Sequence, residues 1–213
     1  MLATMITAAD LRFDADTHVY TTPDGQRVPN VTSILDAVGV RADFVKVNPQ
    51  HLEYRRQLGH AVHEATHYDD EGDLVWESVD PRAAPYVEAW RTFSRQKSVT
   101  IERMETRVFH PHFFYCGTFD RVMRDSRGKR VLVDIKIGDP KDAAAHLQTA
   151  AYKDGYQFEH PADPIDERWS VQLVPDRPDP YAVTVYKDFR DALKWQACLT
   201  VFHEQPTRRS KVA

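Results

Sequence analysis

The chain has 213 residues, 42% hydrophobic and 28% charged, which fits one domain, or one core with an extension, and excludes a disordered or repetitive protein. A net charge of −4 excludes a uniformly basic nucleic-acid binder. Two cysteines, Cys116 and Cys198, exclude a disulfide framework and an unaided four-cysteine zinc or iron–sulfur site. No apolar run approaches the ~20 residues that span a bilayer, and Met1–Asp10 lacks the basic and long apolar regions of a signal peptide. A cytoplasmic protein without membrane association is expected.

Residues 11–29 read as a hairpin, with strands at Leu11–Phe13 and Val19–Thr21 and a turn at Asp24-Gly25 leading to Val28. Thr32 or Ser33 would cap a short helix ended by Gly39. From Pro49 to about Tyr68 the spacing of Leu52, Leu58, Val62 and Ala65 predicts a helix, followed by an acidic loop at Asp69, Asp70, Glu71 and Asp73. Asp80-Pro81 opens a second helix carrying Tyr86, Val87, Trp90 and Phe93. Strands are expected at Ile101–Phe109, Phe113–Arg124 and Arg130–Ile137, and a helix from Lys141 to about Phe158. Strands at Trp169–Val174 and Tyr181–Tyr186 and a helix at Phe189–His203 complete the chain. The pattern describes an α/β domain, a central mixed sheet covered by helices behind an N-terminal hairpin. Residues 1–48 form the extension, 49–205 the core and 206–213 a tail.

Arg130–Ile137 alternates: Val131, Val133, Ile135 and Ile137 share one face, and Leu132, Asp134 and Lys136 share the other. The link Asp125-Ser126-Arg127-Gly128-Lys129 is tight, with glycine where a positive φ is needed. Pairing centred on Arg127 sets Asp120 opposite Asp134 and Thr118 opposite Lys136. Cross-strand Cβ atoms sit ~4.5–5.5 Å apart, so the two carboxylates repel unless a cation lies between them. A divalent ion would make the pair a site, and Lys136 could then hydrogen-bond an attacking water or a phosphate. A solvated, amphipathic hairpin is the plain alternative. The segment from Arg107 to Lys136 carries seven Lys or Arg against three Asp, either an exposed basic turn or a phosphate-facing patch.

Gly117-Thr-Phe-Asp120, Val133-Asp134-Ile-Lys136 and Gln148-Thr-Ala-Ala-Tyr152 together resemble the RecB-type branch of the PD-(D/E)XK nuclease superfamily. Gly59-His-Ala-Val-His63 resembles that branch's helical histidine motif, and Glu105 stands where it often places an acid. Val28–Leu35 is similar to the opening of many phage-type exonucleases. Phe119 replaces the proline that names the superfamily, and the second acid is Asp. The resemblance implies a restriction-endonuclease-like core and a DNA nuclease using Mg²⁺ or Mn²⁺, without an iron–sulfur cluster. Its metal ligands would be His63, Asp120, Asp134 and the Ile135 carbonyl. Asp120, Asp134, Lys136, Glu105, Gln148 and Tyr152 would be the catalytic set, with Tyr152 also contacting DNA; Arg121, Arg124 and Arg130 would contact it in the phosphate-facing reading of the basic segment. Gly59 would let its helix approach the sheet. Digestion from DNA ends in recombination or repair is implied, with a single-strand annealing recombinase or another repair protein as a candidate partner.

Two other readings stand beside it. His63-Glu64-Ala65-Thr66-His67 matches the H-E-x-x-H signature of zinc metalloproteases, with Glu88 as a third ligand, but leaves Asp120, Asp134, Lys136 and Gln148 without a role. A DNA-binding module of the same fold without catalysis would be expected to lack one of the acids or the lysine, and here all are present.

Overall fold

A computed structural model describes residues 6–14, 17–41, 48–137 and 143–205. Five strands form the central sheet in the order β4 (Thr100–His110), β5 (Tyr115–Arg124), β6 (Arg130–Ile137), β7 (Glu167–Leu173) and β8 (Tyr181–Tyr186). All neighbours are antiparallel except β6 and β7, which are parallel and joined through helix α4 (Ala145–Glu159). That crossover is the connection a parallel pair needs. A small antiparallel sheet precedes it, made of β1 (Arg12–Asp14), β2 (Val19–Thr21) and β3 (Arg27–Val28). The protein is thus a mixed α/β domain with an N-terminal antiparallel sheet, as the pattern of elements predicts.

Both faces of the central sheet are covered. Val131, Val133 and Ile135 pack with Leu58 and Val62 of α2 (Pro49–Glu71) and with Trp90 and Phe93 of α3 (Ala84–Lys97). On the other face, Leu132 and Val122 pack with Leu147 and Ala151 of α4, Trp195 and Leu199 of α5 (Arg190–Glu204), and Ile34 and Leu35 of α1 (Val31–Ala37). Strands buried on both faces explain why β6 holds Leu132 between two valines, with the charges of Asp134 and Lys136 two and four residues further on.

Several element ends differ from the sequence expectation, each for a local reason. Helix α1 is capped by Asn30, whose side chain accepts from Ser33 N at 2.8 Å. Helix α2 runs on through the acidic stretch to Glu71 and closes on Gly72 at φ 80°. Asp69 and Asp70 are not a solvated loop: Asp69 receives Arg91, and Asp70 receives Trp90 and Arg121. Asp80-Pro81 forms a turn, and α3 begins at Ala84 with Pro85 in its first turn. The expected helix start at Lys141 and the tail 206–213 lie outside the described residues. No helix among the described residues is long and apolar enough to cross a membrane.

The two-sided cover makes a prediction. Leu132→Ala and Val133→Ala, neighbours facing opposite layers, should each lower the unfolding free energy by about 2 kcal/mol or more. Denaturant titration of both variants checks it; a sheet covered on one face only would be indifferent to one of them.

Candidate metal and phosphate site

Strands β5 and β6 pair as Arg121 with Val133, Val122 with Leu132, Met123 with Val131 and Arg124 with Arg130, the register centred on Arg127. Gly128 takes φ 78° in the turn. Pairing ends at Arg121 and Val133, so Asp120 and Asp134 stand where the strands part. Residues two apart in a regular strand share a face, yet Phe119 packs into the α4-side core while Arg121 points to α2 and α3. The side-chain phase of β5 therefore shifts at Asp120. On β4 the matching position is Glu105, between the pairs Met104–Arg121 and Thr106–Phe119, and its backbone takes φ 43°. A non-glycine residue there stores roughly 1–3 kcal/mol of strain.

This shift alters the expected arrangement of the two aspartates. Asp120 does not simply face Asp134: its Oδ2 accepts from Ile135 N at 2.5 Å and its Oδ1 lies 3.1 Å from His63 Nδ1. Asp134 instead ion-pairs with Lys136, Oδ2 to Nζ 2.9 Å. One ligand atom from each of His63, Glu105 and Asp120 lies within 4.8 Å of the others. Donors ~2.0–2.5 Å from a shared ion sit about 3–5 Å apart, and two carboxylates with one imidazole suit a hard divalent ion such as Mg²⁺ or Mn²⁺. Asp134 is outside that group of three, one residue from the Ile135 amide that Asp120 holds.

The electrostatics follow from burial. Burial pushes the Asp134 carboxyl up; Lys136 opposes this and Asp120 adds to it, leaving it raised from 3.8 to about 6. Glu105, though its side chain is 43% exposed, is also raised, by partial desolvation and by the neighbouring Asp120 carboxylate. Asp120 goes the other way: burial is outweighed by His63, the Ile135 amide and Arg121, so it is held below the usual carboxylate range. Burial disfavours the His63 imidazolium, but the Asp120 carboxylate outweighs it and raises the imidazole.

A hydrogen-bonded chain leads away from Asp134. Lys136 Nζ donates to Gln148 Oε1 at 3.0 Å, and Gln148 Nε2 donates to the Tyr152 hydroxyl at 3.0 Å. Both α4 residues thus reach β6, as their spacing of four predicts. Tyr152 is buried against Gly117, where an added Cβ would fall 2.6 Å from its ring. Gly117 is therefore required by close approach. Gly59 is not, since a Cβ there would meet only Ile137 Cδ1 at an ordinary 3.8 Å.

Two of the four expected DNA contacts, Arg121 and Tyr152, need correction, while Arg124 and Arg130 stand in ion pairs. Arg121 is fully buried and held by Asp70, and burial also removes the Tyr152 ring from the surface. Arg124 and Arg130 share Glu102, and Arg130 also pairs with Asp163. Arg127 and Lys129 pair with Glu167. Acids from β4 and β7 thus neutralise the basic turn. It also lies away from the site, Arg124 being four residues, about 13 Å, along the strand from Asp120. Two other cations, Arg55, which no motif singled out, and Arg107 of the basic count, lie on the elements that carry His63 and Glu105. Arg55 of α2 is exposed and bonds the Ile137 carbonyl at 3.4 Å, and exposed Arg107 pairs in β4 with Thr118. The spacing Arg55, Gly59, His63 on one helix was the available signal for the first.

The H-E-x-x-H reading finds no matching geometry. His63 turns to Asp120, His67 Nε2 pairs with Glu71 at 3.4 Å, and Glu88 pairs with Arg91 at 2.7 Å. The single three-donor group among the described residues takes only His63 from that motif.

No protein-family model and no curated protein matches the chain. Among solved structures it is similar to a Eubacterium rectale protein named as a candidate exonuclease, with 10% identity and a TM-score of 0.43 over 69% of this chain and 64% of that one. The chain thus spans under two thirds of that protein. It is also similar to SSO0001, with 15% identity and a TM-score of 0.35 over 70% of this chain and 76% of that one.

The raised Asp134 carboxyl has a consequence for stability. Its folded-state value of about 6 exceeds the ordinary 3.8, so the folded protein favours the proton, and stability falls as pH rises between those values. Each unit corresponds to about 1.4 kcal/mol. Without divalent ions, Asp134→Asn should leave the melting temperature near that of the parent at pH 4 and raise it by several degrees at pH 7.5. Melting curves across that range check the sign; a variant equally stabilised at both pH values would contradict it.

Proposed function

We propose that the protein is a metal-dependent DNA nuclease that hydrolyses phosphodiester bonds, acting from DNA ends. The observation that carries this reading is the convergence of His63, Glu105 and Asp120 beside the Asp134–Lys136–Gln148–Tyr152 chain. Cation ligands and a lysine ammonium next to one another suit a phosphate whose charge grows during attack. A cation held by His63, Glu105 and Asp120, with Asp134 close by, would supply Lewis-acid charge to the phosphate and ease the ionisation of water.

The chain's own groups divide the remaining work. Lys136 would hold the attacking water or the developing charge on phosphorus. Gln148 fixes the ammonium with its carbonyl oxygen and is itself fixed by Tyr152, so the lysine is oriented before substrate arrives. Arg55 and Arg107 would take neighbouring phosphates. End selection is supported by the N-terminal sheet. Tyr20 hydrogen-bonds Thr118 at 2.8 Å, and the His18 ring stacks on His60 of α2 at 5.4 Å. The small sheet thus closes one side of the site between β5 and α2. Resection of ends for recombination or repair is the role that the resemblance to phage-type exonucleases implies.

Digestion of end-labelled linear DNA and covalently closed circular DNA, with Mg²⁺ or Mn²⁺, tests the reading. Linear DNA should be consumed and closed circles spared, and Lys136→Ala should lose on the order of a hundredfold or more in rate. Equal rates on both forms would make the protein an endonuclease, and a fully active Lys136→Ala would remove the lysine from the site.

Salt dependence tests where the phosphates lie. Arg55→Ala and Arg107→Ala should each reduce the slope of log K against log salt by close to one contact, while Arg124→Ala leaves it unchanged. The opposite ranking would restore the basic turn as the DNA surface.

A further inference from the structure

Arg121 and Asp70 were not expected to act together: one was read as a DNA contact, the other as part of a solvated loop. In the fold the Arg121 guanidinium is fully buried, and Nε bonds Asp70 Oδ2 of α2 at 2.7 Å. Its Nη1 donates to the Asp120 carbonyl at 2.8 Å and reaches Glu105 Oε1 at 3.4 Å. Trp90 Nε1 donates to the other Asp70 oxygen at 2.9 Å, and the guanidinium lies over the Trp90 ring, 5.8 Å from its centroid. One side chain therefore touches all three elements that supply His63, Glu105 and Asp120.

We propose that Arg121 and Asp70 form the positioning pair of the cation site, setting His63 of α2 and Glu105 of β4 against Asp120; this rests on the reading of that group as a divalent-cation site. His63 and Asp70 are two helical turns apart on one side of α2, roughly 10 Å along its axis. Anchoring Asp70 fixes the roll of the helix. A roll of about 10° would carry the imidazole by roughly 1 Å, given a helix radius near 5–6 Å with side chains, and an error of that size matters to a ligand set. The planar fork of arginine lets one cation meet a carboxylate, a backbone carbonyl and a second carboxylate in fixed directions, which lysine cannot do. A helix could be fastened at least as well by apolar packing, since a buried ion pair seldom adds net stability. What the pair adds is orientation, with a positive charge beside carboxylates that must stay together before a cation arrives.

The test compares this pair with the buried Arg168–Asp191 pair, 2.8 Å, which joins β7 to α5 on the other side of the sheet. Mn²⁺ dissociation constants, from the electron paramagnetic resonance of free Mn²⁺, and metal-free melting temperatures are measured for the parent, Arg121→Lys, Asp70→Asn and Asp191→Asn. Arg121→Lys and Asp70→Asn should each weaken Mn²⁺ binding about tenfold or more. Asp191→Asn should lower the melting temperature while leaving the Mn²⁺ constant within about twofold of the parent. If Arg121→Lys fails to fold, the near-isosteric Asp70→Asn carries the comparison; it keeps the buried Trp90 ring and removes only the carboxylate charge. Unchanged Mn²⁺ affinity in the Asp70 and Arg121 variants, or equal weakening by Asp191→Asn, overturns the positioning role and leaves the cation site standing. Absence of Mn²⁺ binding by the parent overturns both.

Discussion

Four carboxylates, Asp70, Glu105, Asp120 and Asp134, are gathered where β5 and β6 part, with Asp120 and Asp134 buried. Left alone they would repel one another in a medium that screens poorly, and the fold around them would open. Each is instead set against a cation or an N–H donor: Asp70 and Glu105 against Arg121, Asp120 against His63 and the Ile135 amide, and Asp134 against Lys136. Those partners come from α2, β5 and β6. Apolar packing of Leu58 and Val62 seats α2 on the sheet, and this electrostatic constraint ties the same helix to the chemistry of the site.

The compensation is uneven, and the unevenness is informative. Asp120 ends below the usual carboxylate range, whereas Asp134 and Glu105 end above it, because Asp120 collects His63 as well as a backbone amide. A site that keeps two carboxyls reluctant to ionise has room for more positive charge. The same reasoning explains why the basic hairpin is not such a place. Its arginines and lysine already meet Glu102, Asp125, Asp163 and Glu167, so that local excess of charge is spent inside the protein.

Around this constraint the apolar layers act as scaffolding. Trp90 and Trp195, each fully buried, anchor the cores on opposite faces of the sheet. Trp90 also donates to Asp70, so the α2-side core and the polar network meet in one side chain. On the α4 side the close seat of Tyr152 on Gly117 draws the helix down until Gln148 reaches Lys136.

Sequence alone determined what is periodic or local. The alternation in β6, the tight turn at Gly128, the register it imposes, the order of strands and helices, and the spacing of Gln148 and Tyr152 are all short-range properties of the chain. The grouping of Asp120, Asp134 and Lys136 as candidates was legible for the same reason, from residue types at characteristic spacings, and His63 joined them through the resemblance of Gly59–His63 to a known motif. Only the tertiary structure decided which of them touch. The phase shift at Asp120 depends on Glu105 in β4 and on helices packed against both faces, and no local pattern records it. The burial of Arg121, the recruitment of Asp69 and Asp70 into α2, and the neutralisation of the basic turn by Glu102 and Glu167 likewise join residues distant in the chain. A charge in a sequence is only a charge; whether it meets solvent, a phosphate or a carboxylate is settled by what the fold brings within about 3 Å of it.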